Sequence, residues 1–155
     1  MRVIKRLIPA VAVAVVAGGF AAYALATAPS GQHPTTPVVG TLSAPQQVNT
    51  DRLKFQTKDD ADVATFNVTY DPLGISGWHT HPGIVFVVVQ SGSVLRQVGC
   101  TSQTYGAGDS FIESDEQPEG QVSNPSSTTP AVLTVLQVTP HGAPRRVDAP
   151  NPPSC

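Results

Sequence analysis

The chain of 155 residues is long enough for one modest domain but not for two, once an N-terminal leader is set aside. Charged residues make up only 13% of it, and the formal net charge is −2. After the leader the only basic cluster is Arg145-Arg146, which argues against a nucleic-acid-binding surface, since such surfaces need clustered Lys and Arg. The 15 prolines and 13 glycines indicate many turns and few helices.

The first segment, residues 1–28, has the layout of a secretory signal peptide. Basic residues at Arg2, Lys5 and Arg6 precede a charge-free stretch that ends in Ala24-Leu25-Ala26, a small-x-small sequence of the kind that signal peptidase recognises. An uncleaved membrane anchor is the alternative, because about 20 apolar residues can span a bilayer. Both interpretations place the folded part outside the cytoplasm, with membrane contact only through this leader.

Residues 29–50 are rich in Pro, Thr, Ser and Gln without an apolar period, which predicts a flexible linker. Residues 51–140 are strand-like. Val63–Tyr70 alternates, with Ala64, Phe66, Val68 and Tyr70 expected on one face. Asp71–Gly74 then predicts a turn.

Further along, Ile84–Val89 is apolar on both faces and predicts a central buried strand. Gln90–Ser93 predicts a tight hairpin into the next strand, and Ala131–Thr139 predicts another strand. Residues 141–155 form a Pro-rich tail that we expect on the surface. Short strands between Gly and Pro turns favour an all-β sandwich or barrel.

The most informative local feature is the pair His79 and His81, which precedes the apolar run. Residues i and i+2 of a strand share a face, so both imidazoles can converge on one metal ion if that face lines a cavity. Two histidines on the rim of a strand are the alternative. Val85 and Val87 continue the same parity and are expected to close the cavity beneath the histidines, while Trp78 either stacks on a ligand or plugs the barrel end.

These residues resemble the two-motif signature of the cupins, which implies a double-stranded β-helix, or jelly-roll barrel. The first motif, G-x5-H-x-H-x3,4-E-x6-G, is matched by His79, His81 and Gly92, with Gly74 one residue closer than the pattern expects. The sequence around the histidines and the two cysteines is similar to a group of exported actinobacterial single-domain cupins. The glutamate position falls on Val85, or on Phe86 with the longer spacing.

The second motif, G-x5-P-x-G-x2-H-x3-N, can begin at Gly108 and end at Asn124 with one extra residue between them. Its histidine position then falls on Glu119 or on Gly120. Glu119 is the candidate carboxylate ligand, with Glu113 and Glu116 as poorer candidates in the same acidic stretch. A solvated loop is the simpler interpretation of that stretch.

The resemblance implies a divalent transition metal such as iron, manganese, nickel or zinc, since two histidines and one carboxylate suffice for a non-haem iron site. We therefore expect an exported barrel that binds a small molecule, with or without a metal held by His79 and His81. A metal-dependent oxygenase or isomerase acting on a small polar substrate is the alternative, and an envelope interaction domain is a third. The sequence does not decide whether a metal is present or whether the chain forms a homodimer.

The two cysteines, Cys100 and Cys155, fit an oxidising compartment, where an even count favours a disulfide. Two unpaired thiols are the alternative. The resemblance to exported cupins supports the bridge.

We predict that non-reducing peptide mapping will recover Cys100 and Cys155 in one linked peptide. Reduction should then lower the melting temperature, because a bridge across a loop of this length stabilises the fold by up to about 4 kcal/mol. Alkylation of both thiols in the untreated native protein would contradict the bridge.

Overall fold

The computed structural model of the protein describes residues 26–43 and 45–152. The predicted leader up to residue 25 and Cys155 lie outside these ranges. All the regular structure within these ranges is β-strand, which confirms the all-β prediction. The described residues contain no helix long and apolar enough to cross a membrane. The strands are β1 (Ser30–Pro34), β2 (Val38–Leu42), β3 (Gln47–Asn49), β4 (Lys54–Gln56), β5 (Ala61–Ile75), β6 (His79–Thr80), β7 (Ile84–Ser91), β8 (Ser93–Val98), β9 (Thr101–Gly106), β10 (Ser110–Ser114), β11 (Gly120–Ser123), β12 (Ala131–Pro140) and β13 (Val147–Asp148).

Eleven of the strands form one antiparallel sheet that closes most of the way around a barrel. Its main path runs β10-β7-β12-β5-β11-β6-β13, with β1 and β2 paired to β5, and β8 paired to both β11 and β9. The remaining two strands, β3 and β4, pair only with each other. The central strands β5, β7 and β12 form the longest ladders, and they contribute most of the core side chains.

The core consists of inward-facing side chains that meet across these ladders. On β7, Val85, Val87 and Val89 are all buried, as the period of two predicts. Val87 lies opposite Phe111 on one neighbouring strand and opposite Val135 on the other. The barrel interior is thus filled by the same rows of side chains that set the strand register.

The outer face of β7 differs from the prediction. Ile84–Val89 was expected to be buried on both faces, but Ile84, Phe86 and Val88 are 37–45% exposed. Nothing in the described part of the chain packs over this face. The apolar run therefore predicted a central strand correctly, but its prediction that both faces of the strand are buried was wrong.

Residues 30–42 also differ from the prediction, because they form strands instead of a flexible linker. Val38 lies opposite Thr65, and Pro34 lies opposite Val68, so both segments extend the free side of β5. Proline is tolerated there because β1 and β2 are edge strands, in which one row of N–H groups has no ladder partner to lose.

The structure does not contain two of the predicted turns. Asp71–Gly74 lies within the long strand β5, which bends there with Leu73 at a φ of 62°. Gln90–Ser93 does not make a hairpin, because β8 leaves β7 at Gly92 (φ 74°) and pairs with β9 and β11 instead. At Gly92 the chain therefore leaves the part of the sheet that contains β7 and continues beside β9 and β11.

The tail is held by backbone pairing. β13 pairs with β6, where Asp148 lies opposite His79, and the Ala149 N–H donates to the Trp78 carbonyl (2.9 Å). Ala26 forms a β-bridge with Pro150 beside this pair.

Cys100 is exposed in the turn between β8 and β9. The predicted disulfide to Cys155 stays a prediction, because Cys155 lies outside the described residues.

We predict that Val89→Ala and Val88→Ala will differ sharply in stability although they are neighbours on β7. Val89 is 1% exposed, and its truncation leaves a core cavity that should cost about 2 kcal/mol. Val88 is 45% exposed, and its truncation should cost under about 0.5 kcal/mol. Urea denaturation measures both, and equal losses would contradict the inward parity of Val89.

Candidate metal centre

Three polar side chains converge inside the barrel beside β6. His79 lies on β6, His81 follows it directly, and Glu113 is on β10. One ligand atom from each lies within 4.8 Å of the others. His79 is 7% exposed and Glu113 is 9% exposed, so this is a largely buried group of imidazoles and a carboxylate.

The strand register explains why Glu113 points inward. On β10, the side chains of Phe111 and Glu113 face the interior of the barrel, and Ile112 between them faces outward. In the ladder between β10 and β7, Glu113 lies opposite Val85. Directly paired residues share a face of a sheet, so the carboxylate comes from the strand adjacent to the position where the cupin motif expects its glutamate.

Gln137 occupies the equivalent place on the other side of β7. It lies opposite Val85 in the ladder between β12 and β7, and it is 1% exposed. Its Nε2 donates to the Arg145 carbonyl and lies 3.2 Å from Nδ1 of His81. A row of Glu113, Val85 and Gln137 therefore forms the floor under the histidines.

Both imidazoles are oriented by backbone carbonyls. His79 Nδ1 donates to the Gly77 carbonyl (2.9 Å), and His81 Nδ1 donates to the Arg145 carbonyl (2.6 Å). Because a carbonyl can only accept, this pattern assigns the hydrogen to Nδ1 in each ring. Metal-ligating histidines are held in the same way, with the second nitrogen donating to a backbone or carboxylate oxygen.

The Nε2 atom of His81 faces the carboxylate. His81 Nε2 lies 3.3 Å from Glu113 Oε2, and the two imidazole rings meet edge to face with centroids 4.8 Å apart. A neutral Nε2 and an ionised carboxylate would point lone pairs at each other at this distance. A cation between them, a proton or a metal ion, resolves the conflict.

Burial governs the charge on His79. Loss of solvent lowers its pKa to about 4, and the charge of Arg146 acts in the same direction, against the opposing effect of Glu113. The ring is therefore neutral at pH 7, which is the form that binds metals.

Glu113 behaves in the opposite way. Burial alone would raise its pKa, but the hydrogen bond and charge of His81, with the charges of His79 and Arg96, hold the pKa below its usual value. Arg96 Nε lies 3.4 Å from Glu113 Oε1 and its guanidinium also packs over the Phe111 ring. The site thus presents an ionised carboxylate.

The structure places Glu113, and not Glu119, beside the histidines. Glu119 is exposed in the loop that precedes β11, and its carbonyl accepts from the Gly99 N–H (3.2 Å). Glu116 is exposed in the same loop. Only the strand residue of the acidic stretch has the inward parity that a ligand needs.

Gly120 is one of the two positions at which the second cupin motif expects its histidine, the other being Glu119. Gly120 lies opposite His79 in the ladder between β11 and β6. Because Gly120 has no side chain, it supplies no fourth protein ligand beside His79.

A cavity of about 400 Å³ adjoins the three residues. Val85 and Val87 line it, as the sequence predicted, whereas Trp78 is buried but does not contribute to its wall. The backbone N–H of Trp78 donates to Thr27 Oγ1 (2.6 Å). Whether the side chain stacks on a ligand or plugs the barrel end stays a prediction.

Sequence reasoning missed Gln137 and the part played by residue 145. Gln137 carried a usable signal, because it continues the inward parity of Leu133 and Val135 on an otherwise apolar strand. The Arg145 carbonyl carried none, since a backbone acceptor leaves no trace in residue type.

No protein-family model matches this sequence, and no curated protein matches it. Among solved structures, it is similar to a cupin-like protein from Thermotoga maritima, with 18% identity, a TM-score of 0.50, and coverage of 57% of this chain and 65% of that one. It is also similar to a conserved protein with a double-stranded β-helix domain from Klebsiella pneumoniae, with 23% identity, a TM-score of 0.49, and coverage of 57% and 76%.

The match to the Thermotoga protein spans slightly less than two thirds of that protein's length. Together with the strand order, it shows that this chain has the cupin fold. The fold predicted from the histidine and glycine motifs is thereby confirmed.

We predict that His79 and His141 will titrate far apart in the metal-free protein. The His79 ring should titrate near pH 4, and His141 should titrate above its usual pKa because Asp62 accepts its hydrogen bond on the surface. As the pH falls from about 6.5 to 4 the unfolded chain takes up the His79 proton first, so this residue lowers the stability of the fold in that window.

Proton–carbon NMR spectra of the imidazole groups measure both midpoints. A His79→Gln variant assigns the resonance. A midpoint for His79 near 6.5 would contradict its buried environment.

Proposed function

We propose that the barrel holds a divalent transition metal through His79, His81 and Glu113 and binds a small molecule in the adjoining cavity. One observation carries this proposal: both imidazoles donate Nδ1–H to backbone carbonyls, so that Nε2 is the nitrogen left to bind an ion in each ring, and Nε2 of His81 lies 3.3 Å from the buried Glu113 carboxylate. Two imidazoles and one carboxylate form a set that suits iron, manganese, nickel or zinc.

The residues around the site support this role. His79 is neutral, so no proton has to leave it before a metal binds. Glu113 is ionised and would offset the charge of the ion. The adjoining cavity supplies space for a second molecule.

When bound, such a metal would polarise a carbonyl or a similar oxygen group of the small molecule. The chain's own residues would position that molecule and exclude water. The Arg145 carbonyl fixes the His81 ring, and the Arg96 Nε–H donates to Glu113 Oε1 and holds the carboxylate in place. The leader sequence supports action outside the cytoplasm.

The alternative of an oxygenase or isomerase for a small polar substrate has less support. Beyond the polar residues around the candidate metal site, much of the cavity wall is formed by Val, Leu and Phe, which offer a polar molecule no hydrogen bonds. Binding of a small molecule at the site is therefore the function that the geometry favours.

We predict that the purified protein, loaded with iron(II), manganese, nickel or zinc in turn and freed of excess by gel filtration, will retain one of these ions. His79→Ala, His81→Ala and Glu113→Gln should each weaken retention at least about tenfold, because loss of a ligand should cost no less than loss of a residue that orients one. Inductively coupled plasma mass spectrometry measures the metal content.

Glu119→Gln is the matched control, since it makes the same change in an exposed glutamate of the same acidic stretch. Its metal content should equal that of the wild type. If Glu119→Gln loses the metal and Glu113→Gln keeps it, the carboxylate is misassigned. If none of the four variants changes the metal content, the site is not where we place it.

A further inference from the structure

Much of the cavity wall is apolar, and the polar side chains nearest the candidate metal ligands lie at one level of the barrel. The cavity is also lined by Gln32, Thr35, Tyr70, Arg145 and Arg146. The ladders align inward-facing residues of neighbouring strands into rows, and we number these rows from the metal site. Row one consists of Glu113, Val85 and Gln137. The histidines lie against this row, as shown by the contacts of His81 with Glu113 and Gln137.

The next rows are apolar. Row two, two residues further along each strand, consists of Phe111, Val87, Val135 and Phe66. Row three contributes Leu133 and Val68, which lie opposite each other. Successive rows on one face are about 7 Å apart, so the apolar wall extends well beyond the reach of the polar row.

The N-terminal strands complete this wall. Pro34 lies opposite Val68 on β5, and Pro34 and Pro37 both line the cavity. Gln32 Nε2 donates to the buried Tyr70 hydroxyl (2.7 Å), so the two polar side chains partly satisfy each other. The segment 32–37 therefore closes the apolar part of the cavity without adding a charge to it.

We propose that the cavity selects a compact and largely apolar molecule, aromatic or branched aliphatic, that presents a single oxygen or nitrogen group to row one. This inference rests on the proposed function for the metal that the polar group would meet. A volume of about 400 Å³ suits a molecule of this size. A polar molecule such as a sugar would lose its hydration against rows two and three and find no partner there.

The test uses the metal-loaded protein and N-phenyl-1-naphthylamine, a neutral aromatic amine whose fluorescence rises in apolar surroundings. We expect saturable binding of this probe. 1-Naphthol, an apolar molecule with one hydroxyl group, should displace it, and glucose at the same concentration should not. Displacement by glucose but not by naphthol would overturn the proposal, as would the absence of saturable binding.

Two neighbouring residues of β12 provide a matched pair of variants. Val135 faces the cavity in row two, and Leu136 faces outward from the same strand. Val135→Asn should weaken probe binding about tenfold, because it places an amide without a partner in the apolar wall. Leu136→Asn should leave it unchanged. Equal binding by both folded variants would place the probe elsewhere and overturn the proposal.

Thermal melting of each variant shows whether it is folded. If Val135→Asn does not fold, the displacement experiment on the wild type decides alone. Metal content measured on the same samples separates the two proposals. Retained metal with displacement by glucose contradicts the ligand class only, whereas displacement by naphthol in a protein that retains no metal supports the ligand class and contradicts the metal site.

Discussion

The register of β7 against its two neighbours is the constraint on which the rest of this barrel depends. Val85 lies between Glu113 and Gln137, and every inward row beyond it follows from that alignment. A shift of either ladder by one residue would turn the carboxylate or the amide outward and bring Ile112 or Leu136 inward. The apolar core and the polar floor of the cavity are therefore set by the same backbone pairing.

The buried carboxylate imposes a second requirement. A glutamate with 9% exposure needs compensating charge or hydrogen bonds, since an isolated buried anion is far less stable than a solvated one. Arg96 meets part of this need through one carboxylate oxygen, and His81 faces the other. Where His81 Nε2 and Glu113 Oε2 face each other, either a proton or a metal ion would satisfy both groups.

The sequence predicted the fold well because the fold depends on short-range pattern. The alternation in Val63–Tyr70 identified the inward face of β5, and the spacing of His79 and His81 identified two members of the cluster. The cupin motifs then supplied the architecture. These features depend on residues close together in the chain, where parity along a strand is enough.

The rest depended on pairing between distant segments. Glu113 and Glu119 belong to one acidic stretch, and the point where β10 ends within it decides which of them faces inward. The Pro-rich residues 30–42 become strands only because β5 offers them a free side. Neither choice is visible locally, although the spacing of Phe111 and Glu113 was consistent with a strand that continues to the carboxylate.

The Arg145 carbonyl makes the candidate site depend on a segment near the end of the described chain. It accepts from both His81 and Gln137, yet it follows all the strands of the central ladders along the chain. A barrel that closes without the segment around residue 145 would have its central strands in place, but His81 would not be aligned. The orientation of one candidate ligand therefore depends on a segment that the central strands do not need for their own pairing.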